Sequence, residues 1–247
     1  MGPLASEIIE AHGGLNKWRR HRSVSAHLTQ GGALWGLKGK AGVLDDCWVT
    51  VSLTKEHASH APFGGIAAAS EFTPDRVTLM DGDRQTLEEL RQPRDSFVGH
   101  VLATPWSNLQ LAYFAGCAMW TYLNMPFLLA WPGVDSQEIS PWDEGAGSWR
   151  RLRVRLPETV VSHSPVQTLY VDDAGLLKRH DYDVEIAGGT PGAHYISDYA
   201  QIDGIMVPTR RQIFPRQADG HSFPEPLVVS IDLDNIMFDR TSALIDV

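Results

Sequence analysis

Three side chains in the second half of the chain have the types that acid–base chemistry uses: His180, Tyr182 and His194. Imidazole titrates near neutrality and can take or give a proton at physiological pH, and a phenol can donate one. The run 176–186 alternates as a strand does, so His180, Tyr182, Val184 and Ile186 share one face while Arg179, Asp181 and Asp183 share the other. On the following strand His194 shares a face with Ile196, and the hairpin at Gly188-Gly189 lets His180 and His194 approach across the ladder. These three are the candidate catalytic residues. The plainer reading of the same pattern is a set of hydrogen-bonded core residues or polar handles on a cavity wall.

Other polar side chains point to weaker chemistry. Of the adjacent pair Arg210 and Arg211, the second shares a face with Val207 and Ile213, so its guanidinium is expected inside the fold. A buried guanidinium needs a partner, either an interior carboxylate or the acidic head of a ligand. His57 and His60, with His163, would offer metal ligands only if the first two sat on a helix. Pro62 and Gly64-Gly65 follow them, and residues three apart on a strand face opposite ways, so no metal site is assigned. Asp45-Asp46 and Asp172-Asp173 are explained by turn capping. The phosphate loop, dinucleotide fingerprint, nucleophile elbow and zinc-helix motifs do not occur, and no cofactor is implied.

The strongest feature is apolar. From Ser96 to Val134 there is no Asp, Glu, Lys or Arg, in a chain with 8 Trp among 247 residues. Trp106, Tyr113, Phe114, Trp120, Phe127 and Trp131 in this segment, together with Arg211, are the candidate ligand-binding residues. Thr104-Pro105 offers an N-cap and first helical turn, and Pro126 should end or kink the helix, which restarts as a short piece through Trp131. A helix apolar nearly all round is buried on more than one side. A membrane span is disfavoured by Asn108, Gln110, Thr121, Asn124 and Pro126 within the run. The net charge of −9 repels phosphate backbones and anionic bilayers, which argues against nucleic acid as a partner.

These residues must be held by a mostly β scaffold. Residues 1–21 read as N-terminal helices, with Leu4, Ile8, Ile9 and Ala11 at helical spacing before Gly13-Gly14. Residues 22–92 read as the first antiparallel strands, 93–134 as the helical insert, and 135–247 as a second antiparallel meander, all within one domain. Turn signals at Asp81-Gly82, 145–147, Asp173-Ala174-Gly175, Gly188-Gly189, Asp203-Gly204 and Asp219-Gly220 separate the strands. Connections this short force antiparallel neighbours, giving about ten strands. An acidic N-terminal segment without a following apolar run is not a signal peptide, and Cys47 and Cys117 imply no disulfide framework, so a cytoplasmic location is expected.

An N-terminal helix ending in Ala11-His12-Gly13-Gly14-Leu15-Asn16-Lys17-Trp18, followed by a meander interrupted by an apolar insert, resembles the lipoprotein-carrier fold of the LolA and LolB proteins. The runs 170–182 and 203–211 are similar to the second half of uncharacterised bacterial relatives of that group. The resemblance implies an incomplete antiparallel β-barrel, its concave face covered by a helical lid, around an interior the size of an acyl chain. The chain departs from the carriers in lacking a signal peptide and a lipobox cysteine. What carries over is the container: a site for a hydrophobic or lipid-like small molecule, without stable membrane insertion.

Overall fold

The computed structural model describes residues 1–145 and 147–240. Ala146, at the centre of the turn expected at 145–147, and residues 241–247, at the end of the second meander, lie outside the described residues. Helix α1 (Pro3–Ala11) buries Leu4, Ala5, Ile8 and Ile9, and the short α2 (Leu15–Trp18) buries Trp18 against Phe127, the two rings stacked 4.1 Å apart. The first meander comprises β1 (His21–Gly31), β2 (Asp46–Ser52), β3 (Ala58–Ala61), β4 (Ala69–Thr73), β5 (Arg76–Met80) and β6 (Thr86–Arg91), with α3 (Ala33–Leu37) after β1. Helix α4 (Asn108–Asn124) follows. The second meander is β7 (Asp135–Asp143), β8 (Ser148–Arg155), β9 (Val166–Val171), β10 (Leu177–Val184), β11 (Thr190–Ile202), β12 (Ile205–Pro215) and β13 (Val229–Arg240).

Among the described residues thirteen strands form one antiparallel sheet in the order β6-β5-β4-β3-β2-β1-β13-β12-β11-β10-β9-β8-β7, with β6 and β7 as its edges and no pairing between them, so the sheet is open. The expectation of about ten strands was low. The strands without an apolar alternation are the ones that escape sequence reading: β6 is exposed along most of its length, β7 alternates only between exposed and half-buried residues, and β3 has four residues. The edge strands β6 and β7 are held by backbone pairing to one neighbour rather than by a buried face, whereas β3 buries Ala58 and His60 and is simply too short to show a period.

This topology places the insert. The segments β6 and β7 are consecutive in the chain yet lie at opposite edges of the sheet, so residues 92–134 must travel from one edge to the other. Gly116 of α4 packs on Phe72 of β4, while Tyr122, six residues further on, meets Tyr182 of β10. Six helical residues rise only about 9 Å. Along the sheet β4 and β10 are seven strand steps apart, roughly 34 Å at 4.8 Å per step. Both contacts are possible only because the sheet curls around the helix.

The start of α4 differs from expectation. Ser107 is the N-cap in a capping box with Gln110, its Oγ accepting from the Gln110 amide at 3.1 Å while Gln110 Oε1 accepts from the Ser107 amide at 2.9 Å. Thr104 instead accepts from the Val101 amide in the preceding turn. The helix does end before Pro126, and a single 3₁₀ turn follows at Phe127–Ala130. No helix among the described residues is long and apolar enough to cross a membrane.

Candidate functional site

Helix α4 has two working faces. Tyr113, Gly116, Trp120 and Leu123 recur at helical spacing, and of these Tyr113 and Gly116 pack on Phe72 of β4 while the Trp120 indole donates to the carbonyls of Ser52 and Lys55 at the end of β2. The face formed by Phe114, Ala115, Ala118, Met119 and Tyr122 borders a cavity. Its other walls come from β1, β3, β10, β11, β12, β13 and α3, including Leu34, Trp35, Ile213 and Ile231. The cavity comprises about 680 Å³ of space between atoms, mouth included, much of it a narrow seam. No Asp, Glu, Lys or Arg lines it.

A wider groove of about 1050 Å³ lies outside, bordered by Ala33, Leu37, Phe214 and Pro226 among others. The two spaces share Leu34, Leu102, Val184, Thr190, Ile213 and Val228, so the groove is the entrance to the cavity. Lys38 fixes one lip of it. Its ammonium is buried, donates to the carbonyls of Leu102 and Thr104 at 2.6 and 3.0 Å, and lies 4.5 Å from the centre of the Trp106 ring. The segment before α4 is thereby tied to the end of α3.

Beyond the cavity wall lies a buried polar cluster. His180 and His194 are directly opposite in the β10–β11 ladder, their rings 5.8 Å apart and stacked. His180 Nε2 donates to Gln167 Oε1 at 2.6 Å, and Gln167 is held in that orientation by donating to the Ser164 carbonyl. Arg211 is 2% exposed, and none of its hydrogen-bond partners is a carboxylate. It donates to His194 Nε2 at 3.3 Å and to the Tyr122 carbonyl at 3.0 Å. That carbonyl belongs to the last turn of α4, where intrahelical donors run out and the helix dipole is negative, so the guanidinium caps the helix it packs against. Tyr182 accepts from His194 Nδ1 at 3.5 Å and shares a hydrogen bond with the Tyr122 hydroxyl.

Burial decides the charge of this cluster. Desolvation holds His163 and His180 at a pKa of about 3 and His194 well below its ordinary value, with the Arg211 charge adding to the effect on His180 and His194. The imidazoles are therefore neutral at pH 7 and accept protons poorly, which leaves the acid–base reading of His180, Tyr182 and His194 without support. Of the three, Tyr182 alone lines the cavity. The opposite face of β10 is also covered: Arg179 and Asp181 form a buried ion pair at 2.7 Å beneath Gly220 and Tyr170.

The apolar candidates divide. Trp106 and Phe114 line the cavity. Tyr113 packs on Phe72 and Phe97, Trp120 meets Trp131 edge to face, and Phe127 stacks on Trp18, so these four belong to the core on other sides of the insert. Leu34, Trp35, Gln30, His60, Tyr122 and Ile213 also line the cavity and are not among the sequence candidates. Gln30 continues the inward alternation of Val24, Ala26 and Leu28 on β1, a signal present in the sequence. The contribution of α3 carries no such signal, because only the curl of the sheet brings it beside α4. Among the described residues no group of His, Cys, Asp and Glu is arranged to hold a metal ion.

The chain is thus an open antiparallel sheet curled about one apolar helix, with an uncharged cavity between them. A LolA superfamily protein from Nitrosomonas europaea superposes on the chain with a TM-score of 0.50 at 11% identity, covering 96% of this chain and 94% of that one. A DUF1329 family protein from Desulfovibrio piger aligns at 11% identity over 96% of this chain and 92% of its own, with a TM-score of 0.44. The chain has a LolA-like fold. No family model matches the sequence, and no curated protein matches it.

Proposed function

We propose that the chain binds a hydrophobic small molecule or lipid-like ligand in the cavity between the curled sheet and α4, with α4 as its lid. The observation that carries this reading is an uncharged, mostly apolar cavity that opens into a wider apolar groove. Transfer of roughly 300 Å² of apolar ligand surface from water would contribute about 7.5 kcal/mol at about 25 cal/mol per Å², before the costs of association. Because the inner seam is narrow, a guest of acyl-chain width enters by displacing α4 or the segment tied down by Lys38. A cytoplasmic setting is part of the same reading, supported by Cys47 and Cys117, which are both buried free thiols.

The test is organic extraction and mass spectrometry of the gently purified protein, alongside Ala118→Trp, which puts an indole into the cavity from its helical wall. The wild-type chain should yield a lipid-like species that the variant lacks. A wild-type chain that extracts empty and takes up neither an added alkane nor an added fatty ester would overturn the reading.

A further inference from the structure

Residues that line the cavity carry buried hydrogen-bond donors that the protein does not use. Tyr122 and Tyr182 both line it, and their two hydroxyl protons can be counted. His194 accepts from Arg211 at Nε2, so its proton sits on Nδ1 and is given to the Tyr182 oxygen. The hydroxyl pair then shares one hydrogen bond, which spends one phenolic proton. Neither imidazole nitrogen of His194 is left to accept the second, and no other acceptor is bonded to either phenol among the described residues. Whichever way the pair is oriented, one O–H remains to be donated.

Three more groups on the same wall are in the same condition. Trp106 Nε1, Gln30 Nε2 and both ring nitrogens of His60 are buried and make no hydrogen bond within the protein. Burial holds His60 at a pKa of about 4, so its ring is neutral and offers one donor and one acceptor. Donors outnumber acceptors, and a buried polar group without a partner is costly. No cationic side chain reaches the wall: Arg211 sits behind the tyrosines and Lys38 is spent on backbone carbonyls.

We infer that the ligand is a neutral amphiphile carrying oxygen acceptors, such as the carbonyl of an ester or ketone, and that the Tyr122–Tyr182 pair donates the anchoring hydrogen bond to it. A pure hydrocarbon would leave every one of these donors unpaired, and a fatty-acid anion would bring an uncompensated charge into an uncharged cavity. This inference rests on the cavity being a ligand site, and it specifies the chemistry of the guest.

Methyl laurate, laurate and tetradecane, similar in length and different in head, separate the possibilities. Each is incubated with the full chain, the protein is desalted, and retained ligand is extracted and quantified by gas chromatography across a concentration series. The ester should bind about tenfold more tightly than the alkane, and the laurate anion more weakly than the ester. Tyr122→Phe and Tyr182→Phe each leave one phenolic proton and should keep the ester-to-alkane ratio, while the double variant should bring it close to one. Equal binding of ester and alkane by the wild-type chain, tightest binding of laurate, or an unchanged ratio in the double variant would overturn the inference while leaving apolar binding intact. Resident water on these donors would give the unchanged ratio. Retention of none of the three probes would overturn the ligand-site reading itself.

Discussion

Tyr182 is bonded on both sides, to His194 and to Tyr122, whereas Tyr122 has Tyr182 as its one side-chain hydroxyl partner. Removing a hydroxyl from a buried pair costs what the abandoned partner loses, about 1–3 kcal/mol. Tyr182→Phe abandons two groups and Tyr122→Phe one, so the first should be the more destabilising in urea unfolding. The double variant should cost little more than Tyr182→Phe alone, because the hydroxyl stranded by the single change is then absent. Additive losses would show that the two phenols do not act as a pair. The same residues show how far sequence reading reaches. Alternation placed His180, Tyr182 and Arg211 inside the fold, and the hairpin set His180 against His194, since both follow from strand period. That Arg211 would serve a helix terminus instead of a carboxylate could not be read from alternation, because Tyr122 is 89 residues away along the chain.

At the scale of the element, α4 is close-packed on the sheet where it has no side chain. A methyl group on Gly116 would lie 2.3 Å from Cβ and 2.5 Å from Cγ of Phe72, so Gly116→Ala must push the helix off β4. Alanine gains up to about 1 kcal/mol of helix propensity over glycine, and overpacking costs about 1–3 kcal/mol. The collision is with the root of a ring on a strand, which cannot rotate away, so a net loss of about 2 kcal/mol is expected in chemical denaturation. A stabilised variant would mean that α4 has slack above β4. The existence and length of this helix were legible from its missing charges and from Pro126. Its first residue was not, because Thr104-Pro105 and Ser107 with Gln110 are both sound caps, and the reciprocal pair in the second won.

For the whole molecule, burial of so many imidazoles links stability to pH. His12 and His60 are held at about 4, His163 and His180 at about 3, and His194 well below its ordinary value, in each case mainly by desolvation. The unfolded chain therefore takes up protons first as pH falls through about 6.5, and stability is lost progressively from there toward pH 3. Glu56, pushed up to about 8 by burial, works in the opposite sense, gaining stability as pH falls from 8 toward about 4.5. Each net proton is worth about 1.4 kcal/mol per pH unit, so the histidines dominate below pH 6 and the loss amounts to several kcal/mol. Thermal denaturation should show Tm falling steeply between pH 6 and pH 4.5, and a flat profile would mean that these rings are hydrated. The curl that buries them also separates what the chain settles alone from what it does not. Local periods and turn residues determined that there would be an antiparallel meander, an N-terminal helix and an uncharged insert, because each depends on neighbours within a dozen residues. The pairing of β1 with β13, the open edges at β6 and β7, and the meeting of α3, α4 and β10 through β13 around one cavity were decided by tertiary structure, because seven strand steps had to bend before residues a hundred positions apart could share a wall.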